Sequence, residues 1–491
     1  MCHLVIRASV NWISHMLLHQ TSHVDTANSV SLRTLTTPYQ YGSAHMHTKC
    51  LDNSMRSTGL LFKCALWLML WGSINAGPWN LRDPQGFTGY IHAGRALLPL
   101  LVLPASIVII CNRRNLLRVP LFAPSRLLAI YGLAGFILSV RSPEPFEAFY
   151  WAAAYLAAVA TAVSFTASPL RERDVRWPIL LSWLCVFVIL TGAIIFCRGL
   201  IFSEAGSAYD TYSYAWSSVY GMPMVLSSGM GRNAGVIGVV VACTLLRKKT
   251  WRRLLWVPPF LFFTFVVFRM QSRGAMIAYT VTLLFIFAMV GVRWRVIGPI
   301  VALMIVVVLP ATSRQWYEES YVYYTRGADR EGVITLSGRT DIWALSDAAL
   351  RDAWIVGWGH QGDRTVVGRH IHNAILYAAI ATGFPGCIVY VTSWIQSWAI
   401  LWRSLRRNTW TMMGSGRWLL ESTAIFLFFS IRSITETTTA SFSIDLLVVL
   451  PLIVYVETLN YSRHVESVYQ PQLPDLSRLL RECDSSYEWY S

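Results

Sequence analysis

Long apolar runs recur along most of this sequence, and they restrict its fold more than any other feature. A membrane-spanning helix needs about 17–25 mostly apolar residues, and runs of about this length occur repeatedly between residues 59 and 456. Hydrophobic residues make up 54% of the chain and charged residues only 14%, which excludes an ordinary soluble protein. We therefore expect an all-α, polytopic membrane protein.

Twelve membrane spans are predicted from these runs, and basic residues give their orientation. The predicted spans are Gly59–Ala76, Ala96–Cys111, Leu121–Val140, Phe146–Phe165, Pro178–Phe196, Asn233–Leu246, Leu254–Phe268, Ala275–Val292, Val296–Ala311, Ala374–Trp402, Trp418–Ile434 and Phe442–Val456. Clusters of Arg and Lys follow the second, fourth, sixth, eighth and tenth spans, so all of them fall on one side. The positive-inside rule makes that side cytoplasmic. Both termini are then cytoplasmic, and the loop 312–373 lies outside.

The chain divides into five segments on this basis. Residues 1–54 lack hydrophobic periodicity, and we interpret them as a disordered or wrongly assigned extension that precedes a true start at Met55. Residues 55–311 carry spans one to nine, residues 312–373 form the outer loop, and residues 374–457 carry spans ten to twelve. Residues 458–491 are polar and are expected to form a cytoplasmic tail.

The net charge and the cysteine content both have ordinary explanations in a membrane protein. The net charge of +15 could indicate a nucleic-acid-binding protein, but the positive-inside rule accounts for it, and no nucleic-acid-binding motif occurs. Nine cysteines include no C-x-x-C pair, so we expect them to be small hydrophobic side chains.

Two arginine elements are candidates for binding an anion. Arg273 lies between the seventh and eighth spans at the predicted outer boundary, and Arg269 precedes it by one helical turn. An arginine at membrane depth usually faces a cavity or a partner, and its planar fork suits a phosphate. The alternative is an interfacial arginine that extends to water. Arg232 and Asn233 open the sixth span, where free backbone N–H groups favour an anion.

The outer loop holds the candidates for acid–base chemistry. His372 lies where the loop meets the tenth span, and a neutral imidazole there could take a proton from a sugar hydroxyl. Asn373 could orient the ring or a substrate, and Arg339 could bind phosphate or sugar. A metal site formed by His360, His370 and His372 is the less favoured alternative, because no acid or cysteine stands at a standard spacing. Glu436 could pair with one of the arginines.

Four motifs follow one another along this part of the chain. They are Gly231-Arg232-Asn233-Ala234; Ser272-Arg273-Gly274; Ser337-Gly338-Arg339 with Trp343 and Gly357-Trp358-Gly359 after it; and His372-Asn373 followed by Gly383-x-x-Gly386. In their order and spacing they resemble the motifs of the O-antigen ligase and polymerase superfamily of bacterial inner-membrane proteins. The last spacing is similar to the histidine signature of the ligases. The twelve-span frame also resembles that superfamily.

This resemblance implies a GT-C-like membrane glycosyltransferase with a large periplasmic loop and an active site that faces the periplasm. It implies transfer of a glycan from undecaprenyl diphosphate to lipid A-core, without a metal or another cofactor. His372 and Arg273 would be catalytic, and Arg232, Asn233, Arg269, Arg339 and Asn373 would bind substrate. Two alternative interpretations differ from this one in the acceptor. One is a polymerase of O-antigen, capsule or exopolysaccharide, and the other is a ligase that glycosylates a protein such as pilin.

A flippase for the same lipid is the alternative from a different class. A flippase should carry charged residues along a central path through the bilayer. The candidate charges instead cluster at one predicted face, which favours an enzyme.

Overall fold

A computed structural model of the protein describes nine stretches of the chain. They are residues 59–82, 84–112, 123–167, 171–196, 226–247, 251–270, 272–290, 339–406 and 415–469. Within these stretches the regular structure is entirely helical. The extension 1–54, the predicted span Val296–Ala311, loop residues 312–338 and the tail from residue 470 lie outside the described residues.

Helices occur at eleven of the twelve predicted spans. They are α1 (Gly59–Gly72), α2 (Gly86–Cys111), α3 (Pro124–Leu138), α4 (Pro145–Ser164), α5 (Arg171–Phe196), α6 (Ser227–Arg247), α7 (Val257–Arg269), α8 (Arg273–Val290), α10 (Ala374–Arg406), α11 (Ser415–Arg432) and α12 (Ile444–Tyr469). The predicted outer loop contains α9 (Arg339–Asp352) and the short helix Gly362–Val366.

Seven of the described helices are long and apolar enough to cross a membrane. They are α2, α4, α6, α8, α10, residues Arg173–Ile195 of α5 and residues Ile444–Tyr461 of α12. Helices α3 and α7 have only 15 and 13 residues. The protein is thus a multi-pass helical membrane protein, and the full number of twelve spans stays a prediction.

The described helices form two compact units. The first contains α1, residues 180–196 of α5, and α6 to α8. The second contains residues 92–111 of α2, together with α3, α4 and α9 to α12.

Aromatic side chains hold the centre of the second unit together. Tyr131 of α3 lies between Tyr155 of α4 and Tyr390 of α10, with ring centroids 5.5 and 5.3 Å away. Its hydroxyl donates a hydrogen bond to the carbonyl of Ala440, at 2.9 Å. Because a buried tyrosine hydroxyl needs a partner, this bond fixes the link between α11 and α12 against α3.

Helix α10 reverses direction at Gly383. Gly383 has φ +71° and ψ 178°, a combination that only glycine adopts readily. The Sγ of Cys387 lies 3.6 Å from the carbonyl O of Ile375, although twelve residues of straight helix would separate them by about 18 Å. Residues 374–382 therefore fold back along residues 384–406, and the predicted span Ala374–Trp402 is not one straight crossing.

Residues 354–359 hold this reversal in place through backbone hydrogen bonds, and we call this segment with its bonds the backbone bracket of α10. Trp358 and Gly359 donate their N–H groups to the carbonyls of Ile380 and Ala381, at 2.8 and 2.9 Å. Phe384 donates to the carbonyl of Trp354 at 2.7 Å. The break at Gly383 leaves these groups without helical partners, so the segment supplies the bonds that the helix lacks. The two glycine motifs of the sequence therefore meet in space.

Candidate active site

The N-terminus of α10 places His372 in an unusual backbone conformation. His372 has φ +51°, a left-handed value that is uncommon for residues other than glycine. Asn373 caps the helix, since its Oδ1 accepts hydrogen bonds from the N–H groups of Ile375 and Leu376. Its Nδ2 donates to the carbonyl of Ile434 at 3.1 Å. Both polar groups of the Asn373 side chain are thus occupied, and they fix the residue that follows His372.

Glu436 connects His372 to Arg339. Its Oε2 lies 3.1 Å from Nδ1 of His372, and its Oε1 lies 3.2 Å from Nη2 of Arg339. Arg339 also donates to the carbonyl of Thr435. Glu436 was a candidate partner for one of the arginines, and Arg339 is an arginine that it contacts.

The surroundings of Glu436 keep its carboxylate ionised. Burial alone would raise the pKa of Glu436. The hydrogen bond from His372 and the charges of Arg432 and Arg339 outweigh burial and lower this pKa well below its usual value. A carboxylate at Nδ1 favours the tautomer that leaves Nε2 of His372 unprotonated. His372 is 34% exposed, so it is accessible to an incoming hydroxyl group.

A second imidazole–carboxylate pair lies beside the first. Nδ1 of His370 is 2.7 Å from Oδ2 of the fully buried Asp363, which also accepts from the N–H of Ile371. The rings of His370 and His372 meet edge to face, with centroids 4.5 Å apart. Trp343 donates its indole N–H to the carbonyl of Ile371. These contacts tie the His370–His372 segment to α9 and to the Gly362–Val366 helix.

Arg432 adds a buried positive charge to this cluster. Its exposed fraction is 3%, and it lies in the last turn of α11, four residues before Glu436. Its Nε has no hydrogen-bond partner in the part of the chain that the structure describes. Its charge helps to hold the carboxylate of Glu436 ionised.

His360 lies apart from this chemistry, in a cage of tyrosines. Its ring is fully buried between Tyr131, Tyr155 and Tyr377, at centroid distances of 5.6, 5.2 and 6.2 Å. Burial lowers the pKa of His360 to about 4, although the charge of Asp363 opposes this shift. A neutral, enclosed imidazole fits a structural role. The described residues contain no group of three or more His, Cys, Asp or Glu side chains arranged to hold a metal.

The first unit brings its own candidate residues together. Gly231 of α6 faces the turn between α7 and α8, where an added Cβ would lie 3.1 Å from that of Ser272. The motifs around Arg232 and Arg273 therefore meet at one end of these helices. Nε of Arg232 donates to Oδ1 of Asn233 at 3.1 Å. Arg269 ends α7, and Arg273 begins α8.

Asn233 is fully buried at this junction. Its Nδ2 has no hydrogen-bond partner among the described residues. Tyr279 supports the junction deeper in the unit, where it hydrogen-bonds Thr264 of α7 at 2.8 Å and lies close to Gly238 of α6. The two sequence motifs are thus held against each other by three packed helices.

The structure groups the predicted site residues within each unit. Arg339 and His372 contact Glu436, and Asn373 follows His372 in the chain, whereas Arg232, Asn233, Arg269 and Arg273 come together at the α6–α8 junction. The pairing of Glu436 with His372 and the role of Asp363 were not predicted from the sequence. The available signals were an acid four residues after Arg432 and an acid seven residues before His370.

These features define a multi-pass helical membrane protein in which, within the second unit, Glu436 links His372 to Arg339. Residues 258–391 match the family model described as O-antigen ligase. The match confirms the resemblance to the O-antigen ligase superfamily and indicates a membrane enzyme of the ligase and polymerase type. No curated protein shows significant similarity to the chain. The matched segment includes Arg269, Arg273, Arg339, His372 and Asn373, but not Arg232 or Glu436.

Proposed function

We propose that the protein is an O-antigen ligase-like glycosyltransferase. It moves a glycan from undecaprenyl diphosphate to lipid A-core at the periplasmic face of the bacterial inner membrane. The observation that carries this proposal is the contact between Glu436 and His372. His372 lies inside the segment that matches the family model, and Glu436 lies beyond its end. A general base positioned in this way suits the activation of a sugar hydroxyl.

His372 is the proposed general base. Nε2 of His372 takes the proton of the acceptor hydroxyl as the oxygen attacks the anomeric carbon. The bond between that carbon and the diphosphate breaks, and undecaprenyl diphosphate leaves with the electron pair. Attack in one step inverts the anomeric centre. Glu436 acts as a positioning residue, because it holds Nδ1 of His372 and stabilises the imidazolium that forms.

Arg273 is the proposed ligand for the diphosphate, with Arg232, Asn233 and Arg269 as neighbours. Charge develops on the leaving group as the glycosidic bond breaks, and preorganised donors stabilise it most where charge increases. Guanidinium groups bind phosphate in a bidentate manner. Arg339 has a second role in this scheme, since it contacts Glu436 and thereby keeps the carboxylate that holds His372 in place.

The proposed orientation agrees with the charges of individual helices. Arg232 lies in the second turn of α6, and the basic stretch 247–253 follows at the other end of that helix. Arg273 begins α8, and Arg293 and Arg295 come after its last residue. The positive-inside rule would place the basic ends in the cytoplasm and these two arginines on the periplasmic side.

Gel analysis of lipopolysaccharide from a strain that lacks the protein tests this function. We expect loss of the whole O-antigen ladder, with long polymer accumulating on the lipid carrier. Core that carries a single repeat unit would instead identify a polymerase. Normal lipopolysaccharide would contradict both and direct the search to exopolysaccharide or glycoprotein acceptors.

Complementation then tests the site. Arg273→Ala should fail to restore the ladder although the protein reaches the membrane at a normal level. Cys387→Ala is the control, because its thiol makes only a weak contact with the carbonyl of Ile375. Full restoration by Arg273→Ala would remove that arginine from the site.

A further inference from the structure

An uncharged segment of the outer loop exposes apolar side chains at the reversal of α10. Residues 353–359 contain no ionisable side chain. Trp354 and Ile355 are 61% and 56% exposed, and Phe384 beside them is 56% exposed. The backbone bond between Phe384 and Trp354 holds the three together. Large exposed apolar clusters of this kind mark contact sites.

The exposed cluster continues an apolar stripe of α10. Phe384, Ile388, Ile395 and Trp402 are all exposed, and their spacing of four and seven residues places them on one helix face. This face belongs to a helix that is long and apolar enough to cross a bilayer. Lipid is the environment that such a face requires, so the cluster of Trp354, Ile355 and Phe384 is contiguous with a lipid-facing surface.

The length of the helix fixes the level of the cluster. Arg403 and Arg406 lie in the last turn of α10 and mark the cytoplasmic boundary. The twenty residues from 384 to 403 rise about 30 Å, which equals the thickness of the hydrocarbon core. The reversal at Gly383 therefore falls at the opposite boundary of the bilayer.

The backbone of the segment is suited to that level. Non-helical backbone is tolerated near a membrane only where its polar groups are satisfied. The carbonyl of Trp354 accepts from Phe384, and the carbonyl of Val356 accepts from Nη1 of Arg141 at 2.7 Å. The exposed guanidinium of Arg141 lies 5.1 Å from the ring of Trp358. Tryptophan is enriched in the headgroup layer, and an arginine beside a membrane extends its charged group to the same layer.

We propose that Trp354, Ile355 and Phe384 form an interfacial anchor, seated in the headgroup–acyl boundary of the leaflet opposite Arg403 and Arg406. The anchor holds the backbone bracket of α10 at the membrane surface. A part of the predicted periplasmic loop thus lies in lipid rather than in water. This inference depends on the membrane-spanning role of α10 and not on transferase activity.

Spin labels at matched positions test the anchor in proteoliposomes. Full-length chains with native cysteines replaced would carry one new cysteine each, as Trp354→Cys, Asp347→Cys or Ile395→Cys. These side chains are similarly exposed, at 61%, 60% and 62%. Asp347 pairs with Arg351 on α9 and is the aqueous reference, whereas Ile395 is the deep reference. Accessibility to oxygen is compared with accessibility to a water-soluble nickel chelate.

We expect the Trp354 label to favour oxygen several-fold more than the Asp347 label, at a depth within about 10 Å of the lipid phosphates. The Ile395 label should be deeper than both. Nickel accessibility equal to that at Asp347 would overturn the proposal, and so would a depth equal to that at Ile395. If Trp354→Cys does not fold, Ile355→Cys provides the same comparison. Activity is not the readout, so a failure here leaves the transferase proposal intact.

Discussion

Replacing Gly383 with alanine should destabilise the reversal of α10 much more than the same replacement at Gly368. Both glycines have left-handed backbones, with φ +71° at Gly383 and φ +73° at Gly368. A Cβ at Gly368 would meet nothing within 4 Å, whereas a Cβ at Gly383 would overlap the carbonyl O of Ile355. Both replacements therefore introduce backbone strain, and only Gly383→Ala adds a steric overlap.

The expected magnitudes follow from these two environments. Gly368→Ala should cost only the left-handed strain, about 1–2 kcal/mol. Gly383→Ala adds the overlap with Ile355, which must displace the segment 354–359. That displacement breaks three backbone hydrogen bonds of the bracket, each worth about 0.5–1.5 kcal/mol. With about 1–3 kcal/mol for the strained backbone, the total is roughly 3–7 kcal/mol.

Hydrogen–deuterium exchange measured by mass spectrometry is the direct assay. Peptides that cover Trp358, Gly359 and Phe384 should lose most of their protection in Gly383→Ala and keep it in Gly368→Ala. The thermal midpoint in detergent should follow the same order. Equal protection in the two variants would show that the bracket does not depend on a glycine at this position, and our account of the reversal would be wrong.

Three further predictions concern the His372 cluster and its surroundings. Glu436→Gln should lower kcat by about 10–100-fold, because a charge-assisted hydrogen bond contributes about 1.5–3 kcal/mol. Glu436→Asp keeps the carboxylate and should restore part of this loss. Equal kinetics of the Gln and Asp variants would argue against a positioning role for Glu436. Arg339→Ala should lower complementation more than Arg351→Ala does. Arg339 contacts Glu436, whereas Arg351 forms an exposed pair with Asp347. The reverse order would contradict a role for Arg339 in holding Glu436. His360→Gln should weaken the pH dependence of stability between about pH 6.5 and 4. Burial lowers the pKa of His360 to about 4, so unfolding takes up a proton as the pH falls through this window, and the folded protein loses up to about 3 kcal/mol of stability. Thermal unfolding at several pH values would show the same slope in the variant and in the wild type if His360 were not responsible.

Helix positions in this protein follow closely from the apolar runs of its sequence. A bilayer requires backbone groups to be satisfied within the segment, so a long apolar run has few alternatives to a helix. Asn373 before Ala374 also signals the start of α10, which begins there. The motifs of Arg232 and Arg273 fall on one predicted side of the membrane, and Gly231 allows their close approach in the structure.

The reversal of α10 could not be read from sequence in the same way. Gly383 and Pro385 indicate a break, but the direction of the chain after a break depends on partners. Here the partners are backbone donors of Trp358 and Gly359, more than twenty positions earlier. Glu436 and His372 are 64 positions apart in the sequence, and no local sequence pattern predicts a contact between residues so far apart.

Helix α9 shows the limit of periodicity arguments. The spacing of Ile342, Leu345 and Ala349 predicts a helix that carries these apolar side chains on one face. The structure buries Ser346 and Ala349 and leaves Leu345 58% exposed. Ser346 tolerates burial because its hydroxyl donates to the carbonyl of Ile342 at 2.7 Å. Spacing identifies the helix, but the packed neighbours decide which face is buried.

Glycan transfer by the purified protein is the decisive test of the proposed reaction and of the role of His372. The assay supplies a glycan on undecaprenyl diphosphate and lipid A-core as acceptor, in the presence of a metal chelator. We expect the wild-type protein and the control variant Arg351→Ala to form the glycosylated core, and His372→Ala to be slower by about 10²–10⁴-fold. Transfer by His372→Ala at the wild-type rate would contradict the proposed general base, and loss of wild-type activity with chelator would contradict transfer without a metal.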